Sequence, residues 1–409
     1  MNISPLMVTA KDDHLLGVSN RSDAMGVFAI WSLRGRDLVP HLTETTNDVR
    51  GFQILVEAYR LWELYEPAYP RHAGRLDDFF ILVEQAFART VGRHDGDWSL
   101  PGARRVRARL REEPHISLVD LDWHLLGEQR ANGIRGLYRG ASRRAGLLQD
   151  NMTRLSGETM QQATLHAGIQ PTARSRLFKL VEKAMDGQTV PLPTDMKNPL
   201  TADLCTTCRE IPLADHLRAR LIESHDLTRR LAESLLDVEE LDRRAFLAEE
   251  ARKSDRHRAT IEEVIRCEDL LAVVEALFLW LCASKGKTIE AAAEDLPVDL
   301  DALEAGRISF GRSGTYRGDT AIARYRRFQE QLVTSSHVAL LRSVLMLHKQ
   351  VSKERKRAAW VWEDQGVLFS DVDADRPSDV SLQVGIAWRN DYYLTPLRGI
   401  AKKIYEVRK

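Results

Sequence analysis

A mainly helical chain of two domains is predicted by three features of this sequence. Apolar residues recur at intervals of three and four along most of it, as amphipathic helices require. At 409 residues it exceeds what one core usually organises. The proline-bearing stretch "DGQTVPLPTDMKNPLTAD", residues 186–203, has no helical period and offers a place to divide it. The expected layout is a helical domain over residues 1–185 carrying a basic segment, a linker at 186–203, and a second helical domain over 204–409. Minor β elements are expected in both domains.

Taken in order, "GFQILVEAYRLWELYEP" places Phe52, Leu55, Val56, Tyr59 and Trp62 on one helix face. "RLDDFFILVEQAFARTVG" does the same with Leu76, Phe79, Phe80, Val83 and Phe87. Pro67 and Pro70 part the two and Gly92 supplies a stop, which predicts an antiparallel pair. "PGARRVRARLREEPHISLVDLDWHLLG" reads as a basic helix followed by a short β-branched run, so residues 104–148 are compatible with a winged-helix-like unit. Long charge-rich helices are predicted at 210–252 and 257–284, and another helical region from Ala321 to Lys356. "AAWVWEDQGVLFSDV" and "DVSLQVGIAWRNDYYL" predict short strands, and "LRGIAKKIYEVRK" a closing helix.

Composition narrows the function classes. With 44% hydrophobic and 29% charged residues the chain reads as globular. Lys plus Arg equals Asp plus Glu at 59 each, so any attraction for a polyanion must come from local segregation of charge. The longest apolar stretch, "LLAVVEALFLWLCA" at 270–283, is interrupted by Glu275 and too short for a membrane span. The first residues lack a secretion signal, and four cysteines do not make a disulfide framework. The expected setting is cytoplasmic, with no membrane partner and no cofactor.

Several motifs invite chemistry and decline it on inspection. "SKGKT" lacks the glycine that a phosphate-binding loop needs five residues earlier, where Leu281 stands, so Gly286 is read as a helix end. "CTTC", with Cys205 and Cys208, has the spacing of half a zinc site, and His216 and His225 are candidates for the rest. No second CxxC or close His pair accompanies it, so two small residues near a helix start is the favoured reading. His72, His94, Asp95 and either Asp120 or Asp122 could be written into the order of the HD-type metal phosphohydrolases. "VGRHDGDWSLPG", however, reads as a turn and not as a buried apolar helix. Asp371, Asp373, Asp375 and Asp379 lack the glycine and glutamate of a calcium loop and are read as a surface loop. No nucleophile with its base is legible.

Basic residues do segregate. Arg104, Arg105, Arg107, Arg109 and Arg111 crowd eight positions, and Arg130, Arg135, Arg139, Arg143 and Arg144 follow in and before "GIRGLYRGASRRAGLL". As a helix, that stretch stacks Arg135, Arg139 and Arg143 at i, i+4 steps, an arrangement that costs stability unless an anion or carboxylates compensate. Gly133, Gly136 and Gly140 lower its helix propensity by roughly 1 kcal/mol each. Such costs suit close backbone approach to a phosphate, while Glu128, Asp120, Asp122 and Asp150 are the internal alternative. "RYRRF" at 324–328 and "KERKR" at 353–357 add basic patches, and Tyr138, Tyr325 and Phe328 lie among the arginines as stacking on bases would require.

Two resemblances complete the reading. "KTIEAAAEDLPVDLDALEAG", residues 287–306, resembles the helix-turn-helix of phage-repressor-type regulators, with Thr288 opening a helix, Ala292 and Ala293 within it, Leu296 and Val298 at the turn, and Leu303 and Gly306 closing. It has Pro297 for the turn glycine, a second helix about one turn short, and no Lys or Arg between Ile289 and Ala305. It is therefore expected to pack against protein and not to read DNA. "GIRGLYRGASRRAGLL", "LHKQVSKERKRAAWVWEDQG" and "NDYYLTPLRGIAKKI" resemble uncharacterised helical proteins of bacterial antiviral defence islands. That resemblance implies an accessory, non-catalytic subunit of a multi-protein complex. The expected function is binding of partner proteins and of DNA or RNA phosphates through Arg104, Arg105, Arg107, Arg109, Arg130, Arg135, Arg139, Arg143 and Arg144. A purely structural scaffold and a metal-dependent phosphohydrolase are the alternatives.

Overall fold

The computed structural model describes residues 23–94, 100–112, 117–118, 126, 128–193, 195–311, 324, 326–328 and 330–406. It is mainly helical with a small antiparallel hairpin near the C-terminus. Two compact units divide it: Met1–Asp37 with Asp242–Tyr392, and Leu38–Leu241 with Tyr393–Lys409. The division falls near Asp242 and not at 186–203. That proline-bearing segment is built into one unit because Val190–Pro191 pairs with Ser117–Leu118, and Leu192 and Leu200 are buried.

Helix α1, Phe28–Leu38, opens the described chain. The unit that follows is assembled on α2 (Val49–Ala68) and α3 (Leu76–His94), the predicted pair, although α3 runs two residues past Gly92. Asp48 caps α2 by accepting from Arg50 N–H at 2.9 Å. Then come α4 (Ala103–Glu112), strand β1 (Ser117–Leu118), and the short α5 (Gln129–Asn132). α6 (Ile134–Arg144), α7 (Gly157–Leu165) and α8 (Pro171–Met185) complete this run. Among the described residues the run after α4 contributes Ser117–Leu118, which pair with β2 (Val190–Pro191) from far along the chain.

α9 (Pro199–Glu210) ends at Ile211, whose left-handed φ of 47° stops the helix. The region expected as one helix to residue 252 is therefore broken. It consists of α10 (Ala214–Arg218), a π-helical turn (Ala219–Glu223), α11 (Asp226–Leu236), and, in the other unit, α12 (Arg243–Lys253).

That other unit is organised by the 29-residue α13 (Asp255–Ala283), which is followed by α14 (Ile289–Glu294) and α15 (Leu300–Gly311). Thr288 caps α14 as expected, and Leu296 and Val298 are buried at the turn. Gly306 lies inside α15 and does not close it. α16 (His337–Glu354) packs on α13 and α14, and Arg342 pairs with Glu290 at 2.6 Å. Ala292, Ala293, Leu296, Val298 and Leu303 of the segment are buried, while Glu294, Asp295, Asp299 and Asp301 stay exposed. Strands β3 (Val361–Asp364) and β4 (Val367–Ser370) turn through Gln365 and Gly366, both at positive φ. No strand forms in Asp379–Leu394. Its backbone is held otherwise, with Arg389 and Asn390 N–H and Tyr392 O–H all donating to the buried carboxylate of Glu268. α17 (Leu394–Glu406) belongs to the Leu38–Leu241 unit and packs on α11.

Two of the three glycines of "GIRGLYRG", Gly133 and Gly136, have a packing cause, while Gly140 has room for a side chain. A Cβ on Gly133 would sit 2.5 Å from a carboxylate oxygen of Glu84, and one on Gly136 only 2.0 Å from the Ala131 carbonyl. The partner surface is equally bare. A Cβ on Gly51 of α2 would lie 2.3 Å from the Tyr138 ring, which is buried between that glycine and Phe52.

Two predictions follow from this packing and from the buried acids of α13. Gly51→Ala should lower stability to chemical denaturation by about 1–3 kcal/mol through overpacking. Gly157→Ala, which meets open space, should not. Burial and the neighbouring Glu268 push the Glu275 carboxyl up to about 8. The folded state thus keeps this proton while the unfolded chain loses it, and stability falls as pH rises from the ordinary carboxylate range to about 8. Glu275→Gln should raise the melting temperature near pH 9 and change it little near pH 4, so a gap independent of pH would contradict the assignment.

Candidate nucleic-acid interface

The arginines singled out from the sequence separate into two groups. On α4, Arg104, Arg105, Arg107 and Arg111 are exposed, and the first three line a surface cleft of ≈ 550 Å³ with Leu100 and Leu126. The Arg109 side chain lies outside the described residues. Arg130, on α5, pairs with Asp78 at 2.7 Å, and Arg75 holds the same carboxylate at 3.0 Å.

α6 decides the rest through its buried face. Ile134, Tyr138, Ala141 and Ser142 point inward, and Glu84, from α3, accepts the first N–H of the helix, that of Ile134, at 2.9 Å. Burial pushes the Glu84 carboxyl up to about 7. With Tyr138 inward, Arg135 lies at the edge of the core. Its side chain is 14% exposed, pairs with Asp77 and sits 5.5 Å from the centre of the Phe80 ring. Arg139 and Arg143 are exposed one turn apart, and among the described residues neither has a carboxylate partner. Arg144 turns back, donating Nε–H to the Pro40 carbonyl at 2.9 Å and Nη2–H to that of Leu42 at 3.3 Å.

Arg130 and Arg135 are therefore internal ion-pair partners. The expectation that they wait for an external phosphate is corrected by Asp78 and Asp77, which the sequence places more than fifty residues away. The aromatic expectation is corrected likewise, because Tyr138 and Phe328 are buried and cannot stack on bases; Tyr325 lies outside the described residues. Of the later basic patches, Arg326, Lys353 and Lys356 are exposed and the other arginines turn inward. Arg324 donates to the Gly26 carbonyl at 3.1 Å, Arg327 pairs with Glu354, Arg355 pairs with Asp23, and Arg357 stacks 4.1 Å from the Trp360 ring centre. Sequence reasoning missed Arg220. Its guanidinium lies 3.5 Å from the point where a Cβ on Gly146 would be, just past the end of α6, and no local pattern signals that approach.

The metal candidates are engaged otherwise. Cys205 and Cys208 are buried thiols on α9. His216 Nε2 lies 3.0 Å from Thr159 Oγ1, and His225 Nδ1 caps α11 by accepting from Thr228 N–H at 3.3 Å. His72 bridges Tyr65 Oη (2.7 Å) and Asp186 (3.1 Å), and His94 ends α3, while Asp95, Asp120 and Asp122 lie outside the described residues. Among the described residues no group of three or more His, Cys, Asp or Glu side chains is placed to hold a metal ion. Nor is any helix among them long and apolar enough to cross a membrane.

Arg135→Ala should cost about 1–2 kcal/mol in denaturant unfolding, since it strips a partner from Asp77 and packing from Phe80. Arg139→Ala and Arg143→Ala should each stay within about 0.5 kcal/mol. Comparison of the chain with protein-family models, curated proteins and solved structures gives no match.

Proposed function

We propose that this chain is a non-catalytic accessory protein that holds nucleic-acid backbone by phosphate contact, within a multi-protein complex of the bacterial antiviral defence type. The observation that carries the phosphate reading is the outward pair Arg139 and Arg143. They stand at i, i+4 on one exposed face of α6 and, among the described residues, have no carboxylate partner. Like charges so placed repel one another, and a polyanion relieves that repulsion. Exposed Arg104, Arg105, Arg107 and Arg111 on α4 extend the same chemistry within the unit, since α4 packs on α3 and α6 on α2, its neighbour. Contacts of this kind neutralise phosphate without reading bases. The accessory role and the defence setting rest on the sequence resemblance.

The scaffold reading has its own support in Arg130 and Arg135, whose pairs tie α5 and α6 to α3. The two readings assign different arginines and are compatible. In a gel shift over a salt series, Arg139→Gln with Arg143→Gln should weaken retention of DNA or RNA at low salt. The double change should flatten the slope of log K against log salt by about 1.4–1.8, as two lost phosphate contacts require. A wild-type protein that retains neither nucleic acid, or a double variant with an unchanged slope, removes the proposal.

A further inference from the structure

Beyond the end of α6 lies a cluster that the backbone-contact reading does not use. The loop after α1 carries His41. Arg144 fastens that loop by donating to the carbonyls on either side of it, those of Pro40 and Leu42. From the other direction comes the π-helical turn Ala219–Glu223, a widened turn of a kind frequent at functional sites. It carries Arg220 and leads directly into Ser224 and His225. Ser224 Oγ lies 3.0 Å from His41 Nε2 and donates to the Arg220 carbonyl at 2.8 Å. Arg220 Nη2–H donates to Glu158 at 2.9 Å, and its side chain remains 29% exposed. Ser224 is exposed, and His41, Arg144 and His225 are partly so.

We propose that His41, Arg144, Arg220 and Ser224 form a binding site for the phosphate group of a phosphomonoester. Three observations support it. Two guanidinium groups, a hydroxyl and an imidazole converge from three separate segments, which is the donor set a tetrahedral oxyanion takes up. Arg220 Nε is buried without a hydrogen-bond partner among the described residues, so that guanidinium is incompletely satisfied as it stands. The local field is positive: burial first, then the charges of His225, Arg144 and Arg220, push the His41 imidazole down to about 4 against a hydrogen bond to the Arg144 backbone.

That field gives the site a direction with pH. The groups facing His41 are His225 at the start of α11, Arg144 at the end of α6 and Arg220 on the π turn, with Glu158 of α7 reached through Arg220. His216 lies 3.9 Å from Glu158 and is itself lowered, by burial first. A dianion entering the cluster offsets the cations and lets His41 take up a proton, which makes it a further donor. Affinity for the anion therefore rises as pH falls. A dianionic monoester gains more from this field than a monoanionic diester does. Its source is either a free small phosphate or the terminal phosphate of a strand lying along Arg139 and Arg143, and the second source rests on the proposed function above.

The test is calorimetric titration of the full chain. Inorganic phosphate at neutral pH should bind, and Arg220→Gln or His41→Asn should weaken it about tenfold or more with melting temperature unchanged. Glu158→Gln, which removes the opposing carboxylate, should tighten it several-fold, a gain that misfolding does not produce. Sulfate keeps its charge across the range, so its affinity should rise from pH 8 to pH 5 and this dependence should flatten in His41→Asn. A 5′-phosphorylated oligonucleotide that outbinds its 5′-hydroxyl twin identifies a strand end as the source. Equal binding of the two oligonucleotides alongside phosphate binding identifies a free phosphate, and either result supports the site. Absence of phosphate binding to the wild type, or equal binding by wild type and Arg220→Gln, overturns it. If oligonucleotide retention still depends on Arg139 and Arg143 in that case, the proposed function stands and this site alone fails.

Discussion

The contact between Tyr138 and Gly51 orients the basic helix of the Leu38–Leu241 unit. α6 approaches α2 so closely that the Tyr138 ring occupies the volume a side chain at position 51 would need. Once that ring is buried against Phe52, the rotation of α6 about its axis is set, because residues three and four apart share a face. Ile134, Ala141 and Ser142 follow Tyr138 inward. Arg135 is carried to the rim of the core beside Phe80 and Asp77, and Arg139 and Arg143 are carried out to solvent.

The consequence is a division of labour among residues of identical chemistry. An arginine at a rim can lay its aliphatic stem on apolar surface and give its charge to a carboxylate. Arg135 does this, while Arg130 makes a more exposed pair with Asp78. In the other unit Arg355 reaches Asp23, and Arg357 uses the face of Trp360. Outside α4, several arginines of the basic patches are thus dispersed by the fold into separate internal bonds. What remains outward on α6 is a short pair, continuous with the cluster that Arg144 and Arg220 make around His41.

Buried carboxylates perform a complementary task. Glu84 accepts the first N–H of α6 and so supplies the cap that Gly133 cannot. Glu268 gathers two backbone N–H groups, the Asn390 amide and the Tyr392 hydroxyl, which holds the chain through residues 389–392 without a sheet. The adjoining left-handed φ values of Tyr392 and Tyr393 show how tightly the backbone turns there. In both places a single acid inside the protein replaces regular hydrogen bonding, at the cost of a carboxyl that holds its proton to higher pH.

Sequence alone determined the helical class, the α2 and α3 pair, the helix start at Thr288 and the short strands within residues 358–372, because each depends on periodicity or local chemistry within a few residues. It also singled out the arginines of 104–111 and 130–144 as the place where positive charge concentrates. The tertiary structure alone decided which of them are occupied, since Asp77 and Asp78 come from a helix more than fifty positions earlier. It likewise showed Gly133 and Gly136 to be packing requirements, placed the 186–203 segment inside a unit, and brought His41, Arg220 and Ser224 together. Such facts depend on which distant side chains share a neighbourhood, and helical period carries no information about that.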